Sequence, residues 1–151
     1  MTTLGVISDT HGLLRPEARA ALAGVDRIIH AGDIDDRATL QWLNTIAWVT
    51  AVRGNCDRGS WAATLKEHER ITLEGRTIYV LHDLSAMTID AAAEGIALVI
   101  SGHTHQPQNE NRGGVLYFNP GSAGPRRLGK PITLGLVHVT LDAVVGQIVS
   151  L

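Results

Sequence analysis

Five short apolar runs recur along this chain: Leu4–Ile7, Arg27–Ala31, Ala47–Val52, Thr77–Leu81 and Ala97–Ile100. Each is too continuous to be a half-exposed strand, and runs of this kind suit strands covered on both faces. Helix punctuation stands between them. "RPEARAALAG" has Pro16 near a helix start and Gly24 at its stop. "DRATLQWLN" reads similarly, as does "SAMTIDAAAEG", with Ser85 as N-cap and Gly95 as stop. This strand–helix order predicts an α/β fold with parallel pairing. The last third changes character: "GGVLYFNPGS" and "ITLGLVHVTLDAVVGQIVSL" read as strands joined by tight turns, with no room for crossover helices. "ITLEG" followed by "RTIYVL" reads as a hairpin, so the sheets are expected to be mixed. A length of 151 residues without repeat or linker predicts a single domain, 1–151.

The residues just beyond each run narrow the chemistry. Asp9 and His11 come after the first, Asp33 after the second, Asn55 after the third, His82 after the fourth, and His103 and His105 after the fifth. In open α/β sheets, the carboxyl ends of the strands are where ligands bind. Two Asp, one Asn and four His form a set without a thiolate, which suits first-row divalent ions. Seven exceed what one four-coordinate zinc needs. If Asp33, central in the order, bridges, they supply two metals with four protein ligands each. Gly32, Gly54 and Gly102 directly precede ligands and Gly12 comes directly after one, as expected where the chain must turn sharply. Any one of these pieces alone is an ordinary turn or a buried histidine. The ordered set is not.

The ordered set Asp9-x-His11, Gly32-Asp33, Gly54-Asn55, His82 and Gly102-His103-x-His105 resembles the calcineurin-like metallophosphoesterases. "HAGD", "GNCD", "SGHTH" and "NPGSAGPRR" look like its small prokaryotic phosphodiesterases of the YfcE type. The resemblance implies a four-layer α/β/β/α sandwich of two mixed sheets flanked by helices. It implies two divalent metals, with manganese placed first and Ni, Co, Fe or Zn as alternatives. Asp9, His11, Asp33 and His105 would hold one metal; Asp33, Asn55, His82 and His103 would hold the other. It further implies phosphodiester hydrolysis by a hydroxide held between the metals, with Asp33, Asn55 and His103 as the catalytic set. Cys56, Asp57, Arg126 and Arg127 are expected to contact substrate. Cys56 departs from larger relatives, which carry His there; a thiol is a poor substitute for imidazole at neutral pH, which favours substrates with good leaving groups. Asp83 stands where relatives usually have Gly, and is expected either to orient His82 or to perturb the second metal. His30 is either a support for the ligands or a buried, hydrogen-bonded histidine.

The charge balance selects among substrates. Formal net charge is −2 and the basic residues are scattered, which does not recommend long nucleic acid. A small phosphodiester or nucleotide-like substrate is expected, and a homo-oligomer is left open. The single cysteine, the lack of a secretory leader and the absence of a bilayer-length apolar run point to a cytoplasmic protein. Two other readings compete: a non-catalytic protein-binding scaffold, as in the retromer subunit with this fold, and a nuclease. Trp42, Trp48 and Trp61 are expected in core or interface packing.

Overall fold

The computed structural model describes residues 1–127 and 129–151. In chain order the elements are β1 (Thr2–Ile7), α1 (Pro16–Leu22), β2 (Arg27–His30), α2 (Arg37–Asn44), β3 (Trp48–Ala51), β4 (His68–Leu73) and β5 (Arg76–Leu81). They continue with β6 (Ile96–Ile100), β7 (Gln108–Arg112), β8 (Val115–Asn119), β9 (Thr133–Val139) and β10 (Val144–Ser150). Two five-stranded sheets result, ordered β10-β9-β1-β2-β3 and β4-β5-β6-β8-β7. Each sheet has a parallel trio, β1-β2-β3 with antiparallel β9 on one side only in one sheet, and β5-β6-β8 between antiparallel β4 and β7 in the other.

Period-two alternation divides the apolar residues between two faces of each sheet. Leu4, Val6, Ile29, Ile78, Val80, Leu98, Ile100, Phe118, Val137 and Val139 fill the space between the sheets. Ile7, Ile28 and Leu134 turn outward to meet Ala18 and Leu22 of α1 and Leu43 of α2. Phe118 is fully buried and closes one end of the sandwich core. It fits because β9 and β10 carry Gly135 and Gly146 against its ring; a Cβ at 146 would come within 2.7 Å of it.

The helix ends match their sequence signals. Pro16 occupies the first turn of α1, and Gly24 takes a left-handed φ of 82° just beyond it. Asp36 caps α2 by accepting from Thr39 N at 2.8 Å. The helix expected over 85–95 does not form. Asp83, not Ser85, is the cap, and it supports only a 3₁₀ turn over Leu84–Ala86 before Met87 turns extended. Asp90 then accepts from Ala93 N and starts a separate turn. Leu84, Met87, Ile89 and Ala91 still cover the outer face of the second sheet, so the 3₁₀ turn and the turns after it form the fourth layer. Trp42 packs beside the α1–α2 core, whereas Trp48, on an edge strand, is 71% exposed. Among the described residues no helix is long and apolar enough to cross a membrane.

Candidate metal centre

The carboxyl ends of both parallel trios reach the same edge of the sandwich, and all seven candidate ligands lie there. Asp9 and His11 follow β1, Asp33 follows β2 and Asn55 follows β3. His82 follows β5, and His103 and His105 follow β6. Two clusters form, Asp9–His11–His105 and Asp33–His82–His103, each with donor atoms within 4.8 Å of one another. His105 Nε2 stands 3.3 Å from Asp9 Oδ1, and His82 Nε2 stands 3.3 Å from Asp33 Oδ2. His11 Nε2 is 3.9 Å from both Asp9 Oδ1 and Asp33 Oδ2, which places Asp33 between the clusters. Asn55 Oδ1 lies 3.2 Å from His103 Nδ1.

Each carboxylate is tethered by one oxygen and turns the other toward the imidazoles. Asp9 Oδ2 accepts from Ser8 Oγ (2.6 Å) and His103 N (3.0 Å), leaving Oδ1 without a partner. Asp33 Oδ1 accepts from Cys56 N at 2.8 Å, leaving Oδ2 toward His11 and His82. The imidazoles behave likewise. His82 Nδ1 donates to Ala31 O at 2.7 Å and His11 Nδ1 to Asp35 Oδ2 at 3.1 Å, so in the neutral rings the Nε2 lone pairs face carboxylate oxygens. Among the described residues four buried side-chain N or O atoms lack a hydrogen-bond partner. Three of them are Asp9 Oδ1, His11 Nε2 and His105 Nδ1. An unpartnered buried polar atom costs about 1–3 kcal/mol, so the cluster is suited to a cation. The electrostatics agree. Burial alone would lower the pKa of His82, but the Asp33 and Asp9 carboxylates outweigh it and raise it. Burial alone would raise that of Asp33, yet His82 and the Cys56 N–H hold its carboxyl well below the usual range.

The backbone carries strain at the same place. Asp9, His11, Asp33, His103 and His105 all adopt left-handed φ, between 46° and 72°. Such a conformation costs of order 1–3 kcal/mol per residue and is tolerated best by Asn, Asp and His. Of the glycines expected at these turns, Gly12 and Gly32 take positive φ, 77° and 101°, and the neighbouring candidate ligands share the left-handed conformation. Gly54 and Gly102 are not left-handed; they serve close approach, since a Cβ at 54 would strike Asp33 and one at 102 would strike Ser8. Gly32 does both, with φ 101° and no room for a Cβ against His82 Nδ1, 2.7 Å away.

Three supports hold the ligand loops in place. Asp57, expected as a substrate contact, is buried, and its carboxylate accepts from Asp33 N, Ile34 N, Asp35 N and Gly54 N at 2.7–3.0 Å. It ties the Asp33 loop to the Asn55 loop and also lines a cavity beside Asn55 and His103. Asn119 donates to Gly102 O, and Ser122 Oγ donates to Asp9 O, so "NPGS" is a buried brace. His30 spans two ligand loops: its Nδ1 accepts from Gly32 N, so Nε2 carries the proton toward Thr10 Oγ1. Of these, the supporting role of His30 and the Asn-Pro-Gly turn chemistry are visible in the sequence; the role of Asp57 is not. Asp83 does not orient His82; it accepts from Ser85 and faces His103 Nε2 at 3.7 Å. Cys56 is exposed at the mouth, and burial of its thiol followed by the Asp33 charge pushes its pKa up. Arg127 lines a cavity beside His105, together with Lys130, which the sequence did not single out; Arg126 is exposed and is not among the residues lining it.

Residues 2–142 match the calcineurin-like phosphoesterase superfamily domain. A probable metallophosphoesterase of Methanothermobacter thermautotrophicus is 35% identical over 144 residues, covering 88% of this chain and 84% of its own. Phosphodiesterase YfcE of Escherichia coli is 28% identical over 167 residues, covering 91% and 88%. Vacuolar protein sorting 29 from Cryptosporidium parvum superposes with a TM-score of 0.85 at 18% identity, over 99% of this chain and 91% of that one.

Proposed function

The chain belongs to the calcineurin-like phosphoesterase superfamily, and from that premise we propose that it hydrolyses small phosphodiesters at a dinuclear metal centre. The observation that carries this reading is the convergence of seven ligand-type side chains with three unpartnered buried donor or acceptor atoms among them. Asp9, His11, Asp33 and His105 would hold one divalent ion, manganese first among the candidates, and Asp33, Asn55, His82 and His103 the other. When bound, the pair would polarise the phosphoryl oxygens and make a water acidic enough to attack near neutral pH.

The chain's own residues define the rest. Ala31 O and Asp35 Oδ2 fix the tautomers of His82 and His11, so each presents its Nε2 lone pair inward. Asp57, through four backbone amides, keeps Asp33 and Asn55 in register. In the reaction a water oxygen–phosphorus bond forms, a phosphorus–ester oxygen bond breaks, and the departing oxygen takes a proton. The group at the rim that can supply it is the neutral Cys56 thiol. A thiol is a weaker acid than an imidazolium, which favours diesters with acidic leaving groups over alkyl monoesters.

The test is cleavage of bis(4-nitrophenyl) phosphate by chelator-stripped protein, with Mn, Ni, Co, Fe or Zn restored singly. The Asp33→Asn protein runs in parallel, with bound metal counted for both. Restored turnover that falls at least about 100-fold in the variant, with loss of metal, is the expected result. Undiminished turnover by Asp33→Asn would overturn it. The likeness to vacuolar protein sorting 29 supports a second reading, a protein-binding scaffold. Two bound ions with no turnover of any diester would favour it.

A further inference from the structure

Two cavities flank the ligand cluster and meet at it, since Asn55 and His103 line both. Their chemistry differs. The larger, about 480 Å³, sets Tyr79, Leu81 and Ala86 beside the carboxylates of Asp57, Glu67 and Asp83, which disfavour a second anion there. The cation there, Arg53, is already paired with Glu67 at 3.3 Å. A volume of that size falls within the roughly 300–1,000 Å³ that takes a drug-sized organic group. The smaller, about 250 Å³, carries Arg127 and Lys130 on its wall, with Asp33 as its carboxylate. Among the described residues, neither Arg127 nor Lys130 has a carboxylate within 4.0 Å. Lys130 Nζ donates to Thr104 O, which fixes the ammonium against the turn bearing His103 and His105.

Asp33 is committed to Cys56 N and to the ligand cluster, so the two cations are left over. A guanidinium and an ammonium lining one small cavity match a phosphate or carboxylate, the guanidinium by its fork and the ammonium as a point charge. We propose that the natural substrate is an asymmetric phosphodiester: a compact arm bearing a second anionic group enters the Arg127–Lys130 cavity, a bulkier uncharged arm fills the larger one, and the scissile phosphorus lies where they meet. The proposal rests on the phosphodiesterase reading for the identity of the scissile group. It goes beyond that reading in assigning a second anion and the residues that select it.

The test compares two diesters, 4-nitrophenyl ethyl phosphate and 4-nitrophenyl 2-(phosphonooxy)ethyl phosphate, on manganese-loaded protein. Calorimetric binding of methylphosphonate and methylenediphosphonate, which are not hydrolysed, supplies a second readout. Wild-type protein should favour the doubly anionic member of each pair, and the Arg127→Met/Lys130→Met variant should lose about tenfold or more of that preference. Lys130→Arg, which keeps the charge, should retain it. Equal losses on both diesters would overturn the anion subsite while leaving the phosphodiesterase in place. No turnover of either diester, with a methylenediphosphonate preference that still depends on Arg127 and Lys130, would uphold the subsite and sink the phosphodiesterase.

Discussion

His30 shows how one residue couples the site to stability. It is fully buried between the loops of Asp9 and Asp33, and burial first, then the neighbouring His82, lowers its pKa to about 3. In the unfolded chain it titrates near 6.5. The folded value is the lower one, so its contribution is fully present above about pH 6.5 and drains away as the pH falls toward 3. The slope reaches about 1.4 kcal/mol per pH unit. Denaturant midpoints of wild-type and His30→Gln proteins should therefore converge between pH 7.5 and pH 5. The variant's deficit, about 1–3 kcal/mol at the higher pH, should shrink by about 2 kcal/mol at the lower. An unchanged deficit would show that His30 does not stay neutral in the fold. At this scale the sequence was most legible where a residue's chemistry is its own: the seven proposed ligands announce themselves as Asp, Asn and His at strand ends. It was least legible for Asp57, whose partners are backbone amides that only the tertiary fold gathers around it.

Elements were legible in proportion to how far local signals decided them. Pro16 and Gly24 bound α1, and Asp36 starts α2, because caps are local chemistry. The 85–95 segment carries helix punctuation too, but Asp83 and Asp90 each divert a backbone N–H into a short turn. Its apolar residues need only to reach the outer face of the second sheet, and turns satisfy that. Strand pairing was less visible: nothing local says that β9 returns to lie beside β1. That return sets a testable constraint at Gly135 and Gly146, whose missing side chains admit the Phe118 ring. Gly146→Ala should destabilise the protein by about 1–3 kcal/mol through overpacking. The added Phe118→Leu change should recover part of that loss in thermal unfolding. A Gly146→Ala protein as stable as wild type would show that the two sheets have slack there.

For the whole molecule, the decisive feature is that each proposed ion would draw ligands from both sheets: Asp9, His11, Asp33 and Asn55 from one, His82, His103 and His105 from the other. Binding would pin the sandwich across its open edge and relieve the unpartnered buried atoms there. At a hundredfold excess over its dissociation constant, one ion adds about 2.7 kcal/mol. For a chain of this length that is roughly 5–10 °C in Tm, and chelation should lower the melting temperature by at least that much. A chelator-insensitive Tm would separate these residues from metal binding altogether. The left-handed backbone at Asp9, His11, Asp33, His103 and His105 constrains the chain's history as well. Leucine or valine there would be penalised by geometry even after the chemistry had ceased to matter, whereas asparagine, glycine or the resident side chain would not. A descendant that abandoned catalysis would drift slowly at these five positions, and its fossil motif would outlive its activity.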